Sequence, residues 1–379
     1  MLEISRQHVC TLMAENPLDM VEYAARVCYD SHNKTDPDKT ADFVRGLIKR
    51  GHCTPLEHAY VRIHIDKLED ASTRTFAHAL YQFAAPGDYP FADRRLSRGV
   101  FYRGEDEDGL FVSGNLRDLI WYLNKHSDAV ELMQSEAVTM DPYYMVCDIK
   151  TDRGIATEFF RHRTMAYDDD GYQMGYKSID VDFVQEPAVN QQSTRYVNYE
   201  KKPVYIINQE PAPWAHDEDS FEYKLWLNNC TQSIRAYSDL INSGVTPEFA
   251  RSVLPMCLGT RVILSGTITN WVYLLNLRLP KGAHPMARLL AAMIWERLKS
   301  TKVWYDNAME FMASSKLDGE FNAVDFDKEA AEILTLLKYS RGKHQCQKQP
   351  MDSSEPKPEP DTATLSTPPD VKKETTTTP

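Results

Sequence analysis

The residues of this sequence best equipped for chemistry are arginines, and they cluster. Phe159-Phe160-Arg161-His162-Arg163-Thr164 sets three cationic or near-cationic side chains in a row. On one helix Arg161 and Arg163 would diverge by about 200°, and so would serve two ligand groups or two subunits. A solvated basic helix end, favoured by the helix dipole, is the plainer account of such a run taken alone. Later, Asn190-Gln191-Gln192 leads into Ser193-Thr194-Arg195. Hydroxyls, backbone N–H groups and a fork-shaped cation are the set suited to a phosphate. Arg251 in ARSVLP and Arg278 in LLNLRLP stand near apolar stretches. Arginine in such a setting is seldom buried without an anion, which could be an internal carboxylate or a ligand. Converging, Arg161, Arg163, Arg195, Arg251 and Arg278 would line a pocket for a phosphorylated small molecule.

Helices and strands in mixture must position these groups. Asp152 opens a helix predicted over 152–162, after a strand at 144–149. Thr246-Pro247-Glu248 reads as an N-cap, a first-turn proline and a dipole-matched acid, on a helix that must stop before Pro255. The last strong helix starts at His284-Pro285, with Met286, Leu289, Leu290, Met293, Ile294 and Leu298 on one face. Helices are also predicted at 17–29, through Leu18, Val21, Ala25 and Cys28, and at 40–50, through Phe43, Leu47 and Ile48. HAYVRIHI (58–65) alternates apolar residues with Arg62 and His64, the pattern of a strand with one buried face. The segment 66–140 is less regular, with a polar loop GEDEDG at 104–109 and a helix near 115–125.

Composition narrows the classes. The 379 residues, 42% hydrophobic with 34 Tyr and Phe, can build a sizeable core, and a net charge of -12 argues against a broad nucleic-acid-binding surface. There is no apolar run of membrane-spanning length and no charged-then-apolar leader, so a cytoplasmic protein with no membrane partner is expected. Seven scattered cysteines without CxxC predict free thiols. The chain has no GxGxxG, P-loop, HExxH or GxSxG, and His52-Cys53…Glu57-His58 fits no common metal spacing, so no metal site is expected. Past Tyr339 no Phe, Tyr or Trp occurs, and 350–379 holds seven prolines, so 341–379 is predicted to be a disordered tail.

GHCTPLEH (51–58), DRGIATEFFRHR (152–163), NQQSTRY (190–196), EFARSVLP (248–255) and NLRLPKGAHP (276–285), in that order, resemble the flavin-dependent thymidylate synthases. RHR followed by SxRY is that family's signature. The resemblance implies an α+β fold, a mixed central sheet flanked by helices, in a single enlarged domain over 1–340 and a homotetramer whose sites draw on several subunits. It implies reductive methylation of dUMP to dTMP, with methylenetetrahydrofolate as carbon donor and NADPH-reduced FAD as hydride source. It assigns His52, Thr54, Arg161, His162, Arg163 and Gln191 to the flavin. To the nucleotide it assigns Glu158, Arg161, Gln192, Ser193, Thr194, Arg195, Arg251 and Arg278, with Arg278 at the pyrimidine edge, favouring ionisation at N3 as the catalytic cation.

The sequence departs from the family pattern in three places. Between Arg163 and Ser193 lie 29 residues where the family has a short link. The excess, about 168–189, has six carboxylates and one lysine, and would be an excursion, with a hairpin at Ser178–Val184, or a lid. Thr267, Thr269 and Tyr273 stand where the family commonly carries flavin-binding amide and cationic side chains. Glu158 replaces a Gln or His, and Gln192 an acid. The alternatives to the dTMP synthase are a relative acting on another pyrimidine or adding another group, such as hydroxymethyl, and a non-catalytic nucleotide-binding protein.

Overall fold

The computed structural model describes residues 2–86, 101–123, 129–161, 187–197, 199, 204–314 and 324–336. The tail 341–379 and the hairpin expected at Ser178–Val184 lie outside the described residues.

In chain order the elements begin with β1 (Leu2–Ser5), β2 (His8–Leu12), α1 (Pro17–Tyr29), α2 (Thr40–Lys49) and β3 (Tyr60–His64). Next come α3 (Ala71–Phe83), β4 (Ala85–Pro86), β5 (Phe101–Asp106), β6 (Gly109–Asn115), α4 (Leu116–Leu123), α5 (Ala129–Leu132) and β7 (Val138–Met140). The segments that matter most for the site follow: β8 (Tyr144–Asp152), α6 (Arg153–Phe160), β9 (Ala188–Gln191), β10 (Val204–Ile207), α7 (Phe221–Asn242), α8 (Pro247–Ala250), β11 (Gly259–Thr267) and α9 (Ile268–Arg278). The described chain closes with α10 (Pro285–Lys299), α11 (Lys302–Ser314) and α12 (Phe326–Leu336). The architecture is mixed α+β. The described strands, however, form three sheets where a single mixed central sheet was expected: β1-β10 parallel, β2-β8-β11-β9 antiparallel, and β4-β5-β6-β3-β7, mixed through the parallel β4-β5 pair.

The four-stranded sheet carries the site. Its long pair runs from Gly259↔Asp152 to Thr267↔Tyr144. Successive side chains of a strand point to opposite faces. Met145, Cys147 and Ile149 of β8 therefore join one core with α6, α9 and α10, while Tyr144 and Val146 meet Met20, Ala24 and Val27 of α1 in another. α1 follows its prediction: the Asn16 side chain caps Leu18 N at 2.8 Å and Pro17 sits in its first turn. α10 starts at Pro285 after the cap His284, and Met286, Leu289, Leu290, Ile294 and Leu298 are buried as the periodicity requires. It is not the last helix, since α11 and α12 pack behind it around Trp304, Phe311 and Phe326.

Two local expectations fail for tertiary reasons. β3 is buried on both faces, because it runs between β6 and β7 and its polar side chains are covered. GEDEDG is no loop but the closing end of the β5–β6 hairpin, pairing Asp106 with Gly109, which takes the left-handed φ of 97°. The helix at Thr246 is placed as expected, with Thr246 as N-cap, Pro247 and Glu248 in its first turn and its end before Pro255, although the cap makes no side-chain hydrogen bond. Among the described residues no helix is long and apolar enough to cross a membrane. The six described cysteines are free, although the thiols of Cys230 and Cys257 lie 3.3 Å apart.

Candidate active site

The site is built around α6 and the turn that follows β9. Asp152, the last residue of β8, starts α6 by accepting from Ile155 N at 2.7 Å, as its sequence position implied. The helix ends at Phe160 with Arg161 as its C-cap. α6 thus stops short of Arg161, where a helix over 152–162 was expected. His162 and Arg163 lie outside the described residues.

At the N-terminal end of α6 the turn after β9 gathers most of the expected phosphate group. Gln192 N donates to Arg261 O at 2.9 Å, and Ser193 N to Cys28 O at 3.0 Å, so the turn is pinned between β11 and the end of α1. Ser193 Oγ accepts from Arg195 N at 3.2 Å. Gln192 and Thr194 are buried, Ser193 is half-buried, and Arg195 is exposed. Arg251, just past α8, reaches back to donate to Thr194 Oγ1 at 3.2 Å and to Glu248 O at 3.2 Å. Arg195 pairs with the Glu248 carboxylate at 3.3 Å. Gln191, Gln192, Ser193, Thr194, Arg195 and Arg251 are therefore neighbours, as the sequence suggested.

A residue to which the motifs assign no role stands among them. Arg153, the first residue of α6, donates to Gln192 O at 3.3 Å, Gln191 Oε1 at 3.3 Å and Thr260 Oγ1 at 3.5 Å. Its signal was the DRG that opens the helix block, an arginine at a helix start where the dipole disfavours a cation.

At the other end of α6, about 12 Å away by helical rise, sits a second group. Arg278, closing α9, donates to Glu158 Oε2 at 3.1 Å and Glu158 O at 3.1 Å. Burial pulls the Arg278 guanidinium below its ordinary value; Glu158 opposes this and nearby Arg161 adds to it. The internal carboxylate left open in the sequence reading is thus Glu158. The structure brings Glu158, Arg161 and Arg278 together, at the opposite end of α6 from Gln192–Arg195 and Arg251.

His52 and Thr54 are exposed on the segment after α2, where a 3-10 turn, Thr54–His58, leads to β3. The turn is anchored by His58, fully buried, whose Nδ1 lies 2.8 Å from Ser265 Oγ. Desolvation pushes the His58 pKa down to about 3, so this imidazole is neutral. Thr267 and Tyr273 are engaged within the fold, whereas the buried Thr269 Oγ1 has no hydrogen-bond partner among the described residues. Thr267 forms a reciprocal capping box with Asn270, Thr269 is fully buried, and Tyr273 meets the edge of Phe311 at 5.7 Å. Of the residues that the resemblance assigns to the flavin, the described ones, His52, Thr54, Arg161 and Gln191, offer an imidazole, a hydroxyl, a guanidinium and an amide.

Fold and site define a mixed α+β protein with Arg153, Arg195 and Arg251 gathered at the edge of an antiparallel sheet. The family described as thymidylate synthase complementing protein matches residues 10–80 and 134–301, a span that contains every site residue named above. The chain belongs to this family, the flavin-dependent thymidylate synthases that its motifs resemble. It is 25% identical over 139 residues to the probable flavin-dependent thymidylate synthase of Paramecium bursaria Chlorella virus 1, covering 37% of this chain and 58% of that protein. It is 23% identical over 152 residues to the flavin-dependent thymidylate synthase of a Synechocystis species, covering 39% and 62%. Over 106 residues it is 30% identical to that of a Mycobacterium species, covering 26% and 42%. The matched part thus spans about two fifths to three fifths of these relatives. Residues 81–133, holding the β5–β6 hairpin, fall between the two matched stretches.

Proposed function

We propose that this chain is a flavin-dependent thymidylate synthase, a methyltransferase that converts dUMP to dTMP with methylenetetrahydrofolate as carbon donor and NADPH as reductant. The observation that carries the reading is the Gln192–Arg195 turn with Arg251 bent back onto Thr194. The hydroxyls of Ser193 and Thr194 and the guanidinium groups of Arg195 and Arg251 gather there, the chemistry of a phosphomonoester site. FAD, held by His52, Thr54, Arg161 and Gln191, with His162 and Arg163 following in the chain, would supply the hydride. Arg278 would exchange Glu158 for the pyrimidine edge and stabilise negative charge developing on the ring in a water-poor site. Glu158 then keeps the unloaded cation compensated.

The two arginine groups at opposite ends of α6 favour a homotetramer in which one site draws on more than one chain. Large apolar side chains beside the site residues support this. Tyr196, Phe249 and Leu277, next in sequence to Arg195, Glu248 and Arg278, are 58%, 70% and 49% exposed. Exposed apolar groups gathered near a binding site mark contact surfaces.

The test is an assay of the purified protein with dUMP, methylenetetrahydrofolate, NADPH and FAD, following tritium release from 5-labelled dUMP and the product mass. dTMP is the expected product. A hydroxymethyl product, or no turnover of dUMP, overturns the reading.

A further inference from the structure

Arg153 differs from four other arginines that the fold draws inward. Arg26, Arg62, Arg261 and Arg288 each hold a carboxylate, at 2.7, 2.8, 2.9 and 2.9 Å. Such distances are those of charge-assisted hydrogen bonds. The printed partners of Arg153 are three neutral oxygens, at 3.3, 3.3 and 3.5 Å. These contacts are long for a guanidinium, and they leave its charge without a counterion among the described residues.

Two further observations surround it. Burial first, and then the positive charge of Arg251, press the Arg153 guanidinium below its ordinary value, while Tyr199 opposes them. Two cations therefore face the same turn, Arg251 through Thr194 and Arg153 through Gln192. Tyr199, which interacts electrostatically with Arg153, is 7% exposed, and its hydroxyl is buried with no hydrogen-bond partner among the described residues. A buried hydroxyl without a partner is costly unless something else satisfies it. An anion between Arg153, Arg251 and Tyr199 would neutralise two like charges and give the phenol an acceptor.

We propose that Arg153, with the Tyr199 hydroxyl, is a further part of the phosphate site, outside the RHR and SxRY motifs, and that it binds the ligand's phosphate oxygens directly. The proposal rests on the nucleotide reading above and deepens it. With Arg195 and Arg251 it raises the site to three guanidinium groups, which favours a phosphomonoester dianion over the uncharged nucleoside. A purely structural Arg153 would only brace β9 against α6.

The experiment is a calorimetric comparison of dUMP, deoxyuridine and inorganic phosphate binding to the full chain and to Arg153→Gln, Arg153→Lys and Tyr199→Phe. Arg153→Gln is expected to weaken dUMP about tenfold to a hundredfold, the range for a hydrogen bond to a charged group. Deoxyuridine binding should not change, and Arg153→Lys should recover part of the loss. Tyr199→Phe should weaken dUMP severalfold. Equal dUMP affinity in wild type and Arg153→Gln, or equal losses for dUMP and deoxyuridine, overturns the proposal. If Arg153→Gln does not fold, Arg153→Lys and Tyr199→Phe decide it on the same two ligands, with unchanged dUMP affinity in both counting against. Wild-type protein that ignores dUMP yet binds inorganic phosphate in an Arg153-dependent way would sink the nucleotide reading while leaving the Arg153 site standing.

Discussion

Arg62 and Arg153 are both drawn into the fold, and their partners set them apart. Arg62, in the five-stranded sheet, meets Asp106 at 2.8 Å and Asp141 at 3.4 Å and lies 3.7 Å from the centre of the Phe111 ring. Asp141 is completed by Ser113 Oγ at 2.7 Å and Tyr143 N at 2.9 Å. Every charge there is answered within the chain. At the edge of the four-stranded sheet, Arg153 and Arg251 rest on neutral oxygens. An arginine that the fold satisfies serves the fold, whereas one left on weak neutral acceptors is available to a ligand.

The largest effect that could break this contrast is on stability. Arg62→Ala leaves Asp141, only 4% exposed, without its cation, and a loss of about 3–5 kcal/mol is expected. Urea unfolding checks it; a loss below about 1 kcal/mol would remove Arg62 from the structural class. Next comes acid sensitivity, which should fall in different pH windows on the two sides. His58 beside the site has its pKa lowered from 6.5 to about 3, chiefly by burial. The unfolded chain therefore takes up a proton that the folded one refuses. Its contribution is complete above pH 6.5 and is lost as pH falls from there toward about 3, at about 1.4 kcal/mol per pH unit. In the Arg62 network, burial raises the Asp106 pKa, but the hydrogen bonds from Arg62, Asp108 N–H and His64 outweigh it and hold it below 3.8. That contribution is present above 3.8 and is lost only below it. Stability measured against pH in His58→Gln and Asp106→Asn should flatten the upper and lower windows respectively.

A smaller change in free energy, but a visible one in binding, is expected from Arg251→Ala. dUMP affinity should fall about tenfold to a hundredfold, with unfolding free energy altered by less than about 1 kcal/mol. Loss of stability without loss of affinity would place Arg251 with Arg62. The smallest effect belongs to the Arg195–Glu248 pair, whose side chains are 49% and 52% exposed. Glu248→Gln should shift stability by no more than about 1 kcal/mol, less in high salt, and should slightly tighten dUMP by freeing Arg195.

Local signals were legible where local physics decides. Asp152 as the start of α6, the apolar face of α1 through Leu18, Val21 and Ala25, and the apolar stripe of α10 involve residues within a turn of each other. The SxRY group was legible too, because its members are consecutive and only Arg251 had to be brought to them. Arg62 was misread as solvent-facing, because the elements that bury β3 come from residues 44 to 79 positions away. Arg153 carries one local signal, a cation at a helix start, which does not name its partners. Its setting depends on Gln192 and Thr260, 39 and 107 positions distant.

The sequence by itself determined the chemical inventory: which cations, hydroxyls and amides exist, in what order, and on which helix starts and strand alternations they sit. Through the ordered motifs it also determined the family. Only the tertiary structure decided which arginine meets which oxygen: Arg278 with Glu158, Arg62 with Asp141, Arg153 with no carboxylate among the described residues. The reason is that helical and strand periodicities follow from backbone geometry within a few residues, whereas the compensation of a charge depends on desolvation and on partners that folding brings from afar.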